Sequence, residues 1–236
     1  MFGWRARLGL LVPSSNTTNE PEFYGKLPEG VSLHTARLPL EDVNVDDLSE
    51  MAGTAEGVAE RLEHADVDVV AYGCTTGSLV KGRGYAEELE EKLADVAGVP
   101  AVATALSVER ALDALGAESV TVVTPYTTDV NEREREFLEK GGFDVLSIDG
   151  HELEANTAIG ALRSEDAYQQ ARAKYDGRAD AVFVSCTNYR TFEAIETLEA
   201  DLGVPVVTSN QATLWDALGQ TSVDRTEIDL GQLFER

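Results

Sequence analysis

The chain repeats itself. Cys74 and Cys186 lie 112 residues apart, and so do Pro13 and Pro125, Asn19 and Asn131, and Glu20 and Glu132. Around the cysteines, Asp68-Val-Val-Ala-Tyr-Gly-Cys-Thr75 stands in register with Asp180-Ala-Val-Phe-Val-Ser-Cys-Thr187. Further on, Val99-Pro-Ala-Val-Ala-Thr104 answers Val204-Pro-Val-Val-Thr-Ser209, and each is followed by a stretch ending in Ala-Leu-Gly (Ala114–Gly116, Ala217–Gly219). An offset shared by separate motifs marks a duplicated unit. Each half therefore carries one cysteine in the same structural place.

The unit itself is α/β. Short apolar runs predict strands at Arg7–Val12, Val31–Arg37, Val67–Tyr72, Ala101–Ala103, Ser119–Val123, Asp144–Ile148, Ala179–Val184 and Val206–Thr208. Helix-period stretches alternate with them: Asp46–His64, Tyr85–Val96, Ser107–Leu115, Asn131–Glu139, Ser164–Tyr175, Thr191–Asp201 and Ala212–Leu218. Strands apolar on both faces, separated by helices, imply parallel sheets. Gly98-Val-Pro100, Gly203-Val-Pro205 and Gly141-Gly142 read as helix stops before strands. The expectation is two duplicated Rossmann/flavodoxin-like domains related by a pseudo-two-fold, with the active site in the cleft between them. The first domain is expected at 1-104 plus 209-236 and the second at 105-208. Gln220–Arg236 is polar and is expected to pack weakly.

Composition narrows the function. The 43 acidic against 19 basic residues leave a net charge of −24, which repels nucleic acid. The acids are spread over amphipathic segments rather than gathered in blocks, as on a surface adapted to high salt, where screening falls to about 3 Å at 1 M. No apolar run has a membrane-spanning length, and Leu8–Val12 is too short for a signal-peptide core. A soluble, cytoplasmic protein is expected. Two cysteines and three scattered histidines have no metal-ligand spacing, so no metal site is expected.

Each cysteine directly follows an apolar strand and precedes threonine. Ligands of parallel α/β sheets bind at the carboxyl ends of strands, and a helix N-terminus there lowers a thiol pKa, an effect expected at Cys74. A single cysteine ending a strand is more often a small buried hydrophobe. Two in matched positions of a duplication, with no others in the chain, favour chemistry from two sides of one substrate: one thiol attacks or deprotonates, the other donates a proton. His34, His64 and His151 follow no catalytic spacing, and Glu20 and Glu132 sit where they would favour helix dipoles.

Leu11-Val-Pro-Ser-Ser-Asn-Thr-Thr-Asn-Glu20, Tyr72-Gly-Cys-Thr-Thr-Gly-Ser78, Thr124-Pro-Tyr126 and Ser185-Cys-Thr-Asn188 resemble the maleate cis–trans isomerases of the aspartate/glutamate racemase superfamily. The resemblance runs from Leu8 to about Leu218. It implies that Cys74 is the nucleophile, adding as thiolate to the double bond of maleate, and that Cys186 is the acid/base partner. The adduct would rotate about its new single bond and eliminate to fumarate. Asn16, Tyr126 and Asn156 match the family's substrate-binding positions. No cofactor is implied, and family members are commonly dimeric or larger, so a homodimer or higher homo-oligomer is expected.

A cis-dicarboxylate needs two carboxylate sites, which loops after strands build from N–H groups and hydroxyls. Ser14, Asn16, Thr75 and Thr76 are candidates in the first half; Tyr126, Thr127, Thr187 and Asn188 are candidates in the second. Apart from the resemblance, Asn16 and Asn156 also suit cap or turn positions, and Tyr126 suits a core. Three other functions compete: a two-base racemase or epimerase of aspartate or glutamate, an arylmalonate-type decarboxylase, and a non-catalytic binder of small acids. The decarboxylase branch typically keeps only the second-half cysteine, so Cys74 argues against it.

Overall fold

The computed structural model describes residues 2–236. The first half runs β1 (Ala6–Pro13), α1 (Asn19–Lys26), β2 (Val31–Leu38), α2 (Val45–Gly53), α3 (Ala55–Glu63), β3 (Val69–Tyr72), α4 (Thr75–Leu79), α5 (Arg83–Ala97) and β4 (Ala101–Ala103). Helix α6 (Thr104–Leu115) leads into the second half: β5 (Ser119–Thr124), α7 (Thr128–Lys140), β6 (Asp144–Gly150), α8 (Asn156–Gly160), α9 (Ser164–Lys174), β7 (Ala181–Val184), α10 (Ile195–Leu202) and β8 (Val206–Thr208). Helix α11 (Ser209–Gly219) and two 3-10 turns close the chain.

All eight expected strands form, in two parallel four-stranded sheets ordered β2-β1-β3-β4 and β6-β5-β7-β8. The duplication extends to the register. Strand β1 pairs with β3 from Leu8–Val69 to Leu11–Tyr72, and β5 pairs with β7 from Val120–Ala181 to Val123–Val184, each position 112 later. The chain therefore leaves β3 and β7 at equivalent points, and Cys74 and Cys186 stand two residues beyond each strand. Both central strands are buried on both faces, which is why they read as continuous apolar runs.

Helices α6 and α11 pack on each other and join the halves. Thr104 Oγ1 and Thr213 Oγ1 are 2.8 Å apart, Ser107 Oγ donates to Asp216 Oδ2 at 2.8 Å, and Arg110 Nη1 reaches the same oxygen at 2.7 Å. One apolar cluster consequently runs through both halves, from Leu8, Leu10 and Val12 to Val122, Phe183, Leu214 and Leu218. No helix among the described residues is long and apolar enough to cross a membrane.

The helix stops behave as expected: Gly98 and Gly203 take left-handed caps at φ 67° and 73°, where a side chain would be strained. Two expectations need correction. The stretch Asp46–His64 is two helices, because Gly53 ends α2 and Thr54 turns its hydroxyl back to Met51 O at 2.7 Å. Gln220–Arg236 does not pack weakly: Val223, Ile228, Leu230, Leu233 and Phe234 are buried in the shared core. Their spacing follows neither helix nor strand period, and they are held by short turns instead.

Candidate active site

The two cysteines share a position but not an environment. Cys74 caps the N-terminus of α4; its Sγ accepts the Gly77 N–H at 3.3 Å and lies 3.7 Å from Thr76 Oγ1. Gly77 leaves room there: a Cβ would stand 2.5 Å from Met51 Cε, 2.7 Å from Tyr72 Oη and 3.1 Å from Cys74 Sγ, so any side chain would push these groups aside. Cys186 instead occupies a turn with φ 101°, a region costly for any residue but glycine and populated at functional sites. Its N–H donates to Ser209 Oγ at 2.9 Å, its Sγ accepts the Asn188 N–H at 3.3 Å, and the Tyr126 hydroxyl lies near enough to ease ionisation of the same sulfur.

Both thiols are nearly dry, 4% and 5% exposed. Burial pushes the Cys74 thiol up, against the Gly77 N–H and the Thr76 hydroxyl. This corrects the expected depression: one long N–H contact and a five-residue helix do not outweigh desolvation. Burial likewise pushes Cys186 up to about 12, opposed by Tyr126 and the Asn188 N–H, and a charge on Cys74 raises it further. The two buried thiols oppose each other's ionisation, so the pair takes up one negative charge at a time.

A buried polar network knits the halves around the sulfurs. Asn16 Oδ1 caps α1 by accepting the Thr18 and Asn19 N–H groups, both at 2.9 Å, while its Nδ2 crosses to Thr187 Oγ1 at 3.2 Å. The cap and the site placement are thus the same residue's two ends. Thr187 Oγ1 donates to Gly73 O at 3.1 Å, and Thr75 Oγ1 donates to Ser209 Oγ at 2.8 Å. Asn188 accepts the Thr17 N–H at 2.9 Å and donates to Asn156 O at 2.7 Å; Asn156 Nδ2 reaches Ser15 Oγ at 2.7 Å. Above the network, the loops after β2 and β6 meet in one antiparallel bridge, Asp42 with Ala155, with Val43 N–H to Glu154 O at 2.8 Å.

The structure thus brings together Cys74, Cys186, Asn16, Thr75, Thr76, Tyr126, Asn156, Thr187 and Asn188. It sets two candidates apart. Ser14 is exposed, with its hydroxyl on the Leu40 backbone, and Thr127 is half-buried at the start of α7. Ser209 and Asn210 escaped the sequence reading. Ser209 ties Thr75 to Cys186, and Asn210 Nδ2 holds Thr187 O at 3.0 Å. The signal for Ser209 was its alignment with Thr104 in the repeated Val-Pro motif. A surface cavity of about 730 Å³ lies apart from both thiols, against α10 and the C-terminal turns.

A duplicated parallel α/β fold with one cysteine at the same strand end of each half, both thiols buried in one polar network, defines a two-cysteine class of α/β protein. The chain belongs to the arylmalonate decarboxylase family, whose pattern matches residues 8–234. It is 26% identical to maleate isomerase from Alcaligenes faecalis over 242 residues, covering 96% of this chain and 95% of that protein. It is 32% identical to arylmalonate decarboxylase from Bordetella bronchiseptica over 217 residues, covering 89% and 88%. A solved structure of Nocardia farcinica maleate cis–trans isomerase, a cysteine-to-serine variant carrying a covalently bound succinylcysteine intermediate, superposes with a TM-score of 0.91 at 26% identity, covering 97% of this chain and 98% of that one.

Proposed function

We propose that the protein is a cofactor-independent cis–trans isomerase that converts maleate, or a related cis-dicarboxylate, to the trans isomer. The Cys74 thiolate adds to one alkene carbon, and the π electrons move to the neighbouring carbon, which takes the Cys186 proton. The double bond is now single and rotates. The Cys186 thiolate then removes a proton from that neighbouring carbon, the C–S bond breaks, and fumarate and the Cys74 thiolate are released. Atoms and charge balance without a redox partner.

The observation that carries the reading is the pair of buried thiols at equivalent strand ends in unlike settings. Cys74 caps the N-terminus of α4, where the Gly77 N–H supports its thiolate, and Cys186 sits in the φ 101° turn beyond β7, near Tyr126. One thiol ionised to attack and the other kept protonated would supply a nucleophile and an acid to the same substrate. The succinylcysteine of the Nocardia relative is the intermediate this route requires. Amides and hydroxyls of Asn16, Asn156, Thr75 and Thr76 serve as carboxylate donors, and Cys74 favours isomerisation over decarboxylation. The test is proton NMR of the protein with maleate in concentrated salt: fumarate forms with the wild type and not with Cys74→Ala. Maleate consumed without fumarate, or fumarate formed equally by Cys74→Ala, overturns the proposal.

The same proposal includes a cytoplasmic, salt-adapted protein that assembles as a homodimer or larger. It divides the chain at 104/105 and 208/209, with α6 and α11 each packed against strands of both halves.

A further inference from the structure

The duplication carries a buried carboxyl into each half. Asn19-Glu-Pro-Glu22 and Asn131-Glu-Arg-Glu134 stand 112 residues apart, and both last glutamates are buried. Their uses differ. Glu22 is fully engaged: Oε1 accepts the Thr191 and Phe192 N–H groups at 2.5 and 2.9 Å, and Oε2 accepts Asn210 Nδ2 at 2.6 Å. It ties α1 to the loop beyond Cys186. Glu134, 1% exposed, has a single partner, Ser185 Oγ at 2.5 Å on Oε1, and its Oε2 has none. A carboxyl buried with one oxygen unpaired is costly, and an apolar residue would pack that space more cheaply.

Ser185 is the residue before Cys186, at the base of the turn with φ 101°. We propose that Glu134 is a positioning residue for the second thiol: its carboxyl group accepts the Ser185 hydroxyl and so sets the turn that presents Cys186 to the substrate. The assignment rests on the isomerase reading for its catalytic meaning, but the geometry at Cys186 stands without it.

Protonation decides how this works. Burial raises the Glu134 carboxyl to about 7, opposed only by the Ser185 hydroxyl. The titratable group that feels its charge is Tyr126, from the end of β5; strand β6, also packed on α7, carries Asp144 and Asp149, the latter paired with Lys174. Helix α4, packed on α7, brings no charged side chain, and Arg133, beside Glu134 on α7, donates to Val80 O. Neutral Glu134 leaves Tyr126 a free donor to the sulfur. Ionised Glu134 raises the Tyr126 pKa further, which weakens that donor just when Cys186 must become a thiolate.

The experiment reads Cys186 directly. In a Cys74→Ala background, the rate of Cys186 alkylation by iodoacetamide is followed against pH for Glu134, Glu134→Gln and Ser185→Ala. Expected for Glu134→Gln is faster alkylation above about pH 7, where the permanently neutral amide keeps Tyr126 donating. Ser185→Ala, which cuts the contact from the other side and is the recourse if Glu134→Gln does not fold, shifts the profile too. With Cys74 restored, Glu134→Ala lowers kcat roughly tenfold with little change in KM, and Glu134→Gln rescues it below about pH 7. Alkylation profiles identical in all three forms overturn the positioning role. Absence of maleate turnover in the wild type, with the alkylation shifts intact, overturns only the isomerase reading.

Discussion

Tyr126→Phe removes one hydroxyl and almost nothing else, because the ring is 1% exposed within an apolar cluster shared by both halves. The hydroxyl lies near Cys186 Sγ and opposes the burial that pushes that thiol to about 12, donating to the sulfur once it is a thiolate. A hydrogen bond to a charged group is worth about 1.5–3 kcal/mol net, and about 1.4 kcal/mol corresponds to a factor of ten, so the loss amounts to roughly 10- to 100-fold. The bond is strongest when Cys186 is a thiolate, a state reached only after it has protonated the substrate carbon. The cost therefore falls on kcat, while KM stays within about threefold of wild type. Initial rates of fumarate formation over a range of maleate concentrations measure both. Alkylation of Cys186 in the Cys74→Ala background should show its pKa raised by about one unit. A kcat within twofold of wild type (about 0.4 kcal/mol), or an unchanged Cys186 profile, refutes the assigned role of the phenol.

Gly77→Ala places a methyl against Tyr72 Oη and Cys74 Sγ; we expect lost activity and a destabilisation of about 1–3 kcal/mol by denaturant titration. Stability should also depend on pH through the buried carboxyls. Glu134 is raised from 4.5 to about 7, so the fold favours its neutral form; that stabilisation is complete below about pH 4.5 and is lost as pH rises through about 7, roughly 3 kcal/mol in all. The thermal midpoint should fall across that window, and Glu134→Gln should flatten the fall. Glu22 is raised to a similar value even with its donors, so Glu22→Gln should flatten the fall over the same window. With a net charge of −24, the midpoint should rise with potassium chloride as screening shortens from about 10 Å at 0.1 M to about 3 Å at 1 M; full stability at low salt would contradict the salt-adapted surface.

Much of the fold was legible because the chain states it twice. The apolar runs of β1 and β5 read as buried parallel strands, and the common offset predicted that Cys74 and Cys186 occupy equivalent strand ends. What escaped lacks a periodic signature. Helix α4 is one turn, and it forms because Cys74 caps it rather than through any apolar stripe. The C-terminal Val223 to Phe234 are buried one by one from turns. The Cys74 pKa was misjudged because motif and helix terminus are visible in sequence, whereas the closure that dries the thiol belongs to the tertiary fold. Glu134 resembled any acidic helix residue until its α7 face was seen to meet Ser185; only its repetition at Glu22 hinted at more.

The central claim is that Cys74 bonds to the substrate and Cys186 moves the proton. The direct measurement is intact-protein and peptide mass spectrometry of the Cys186→Ser variant after incubation with maleate. The account predicts one added maleic acid per chain, located on the peptide that carries Cys74, and no adduct when Cys74 is also replaced by alanine. An unmodified Cys74, under conditions where the wild type turns over maleate, would contradict covalent catalysis by this residue.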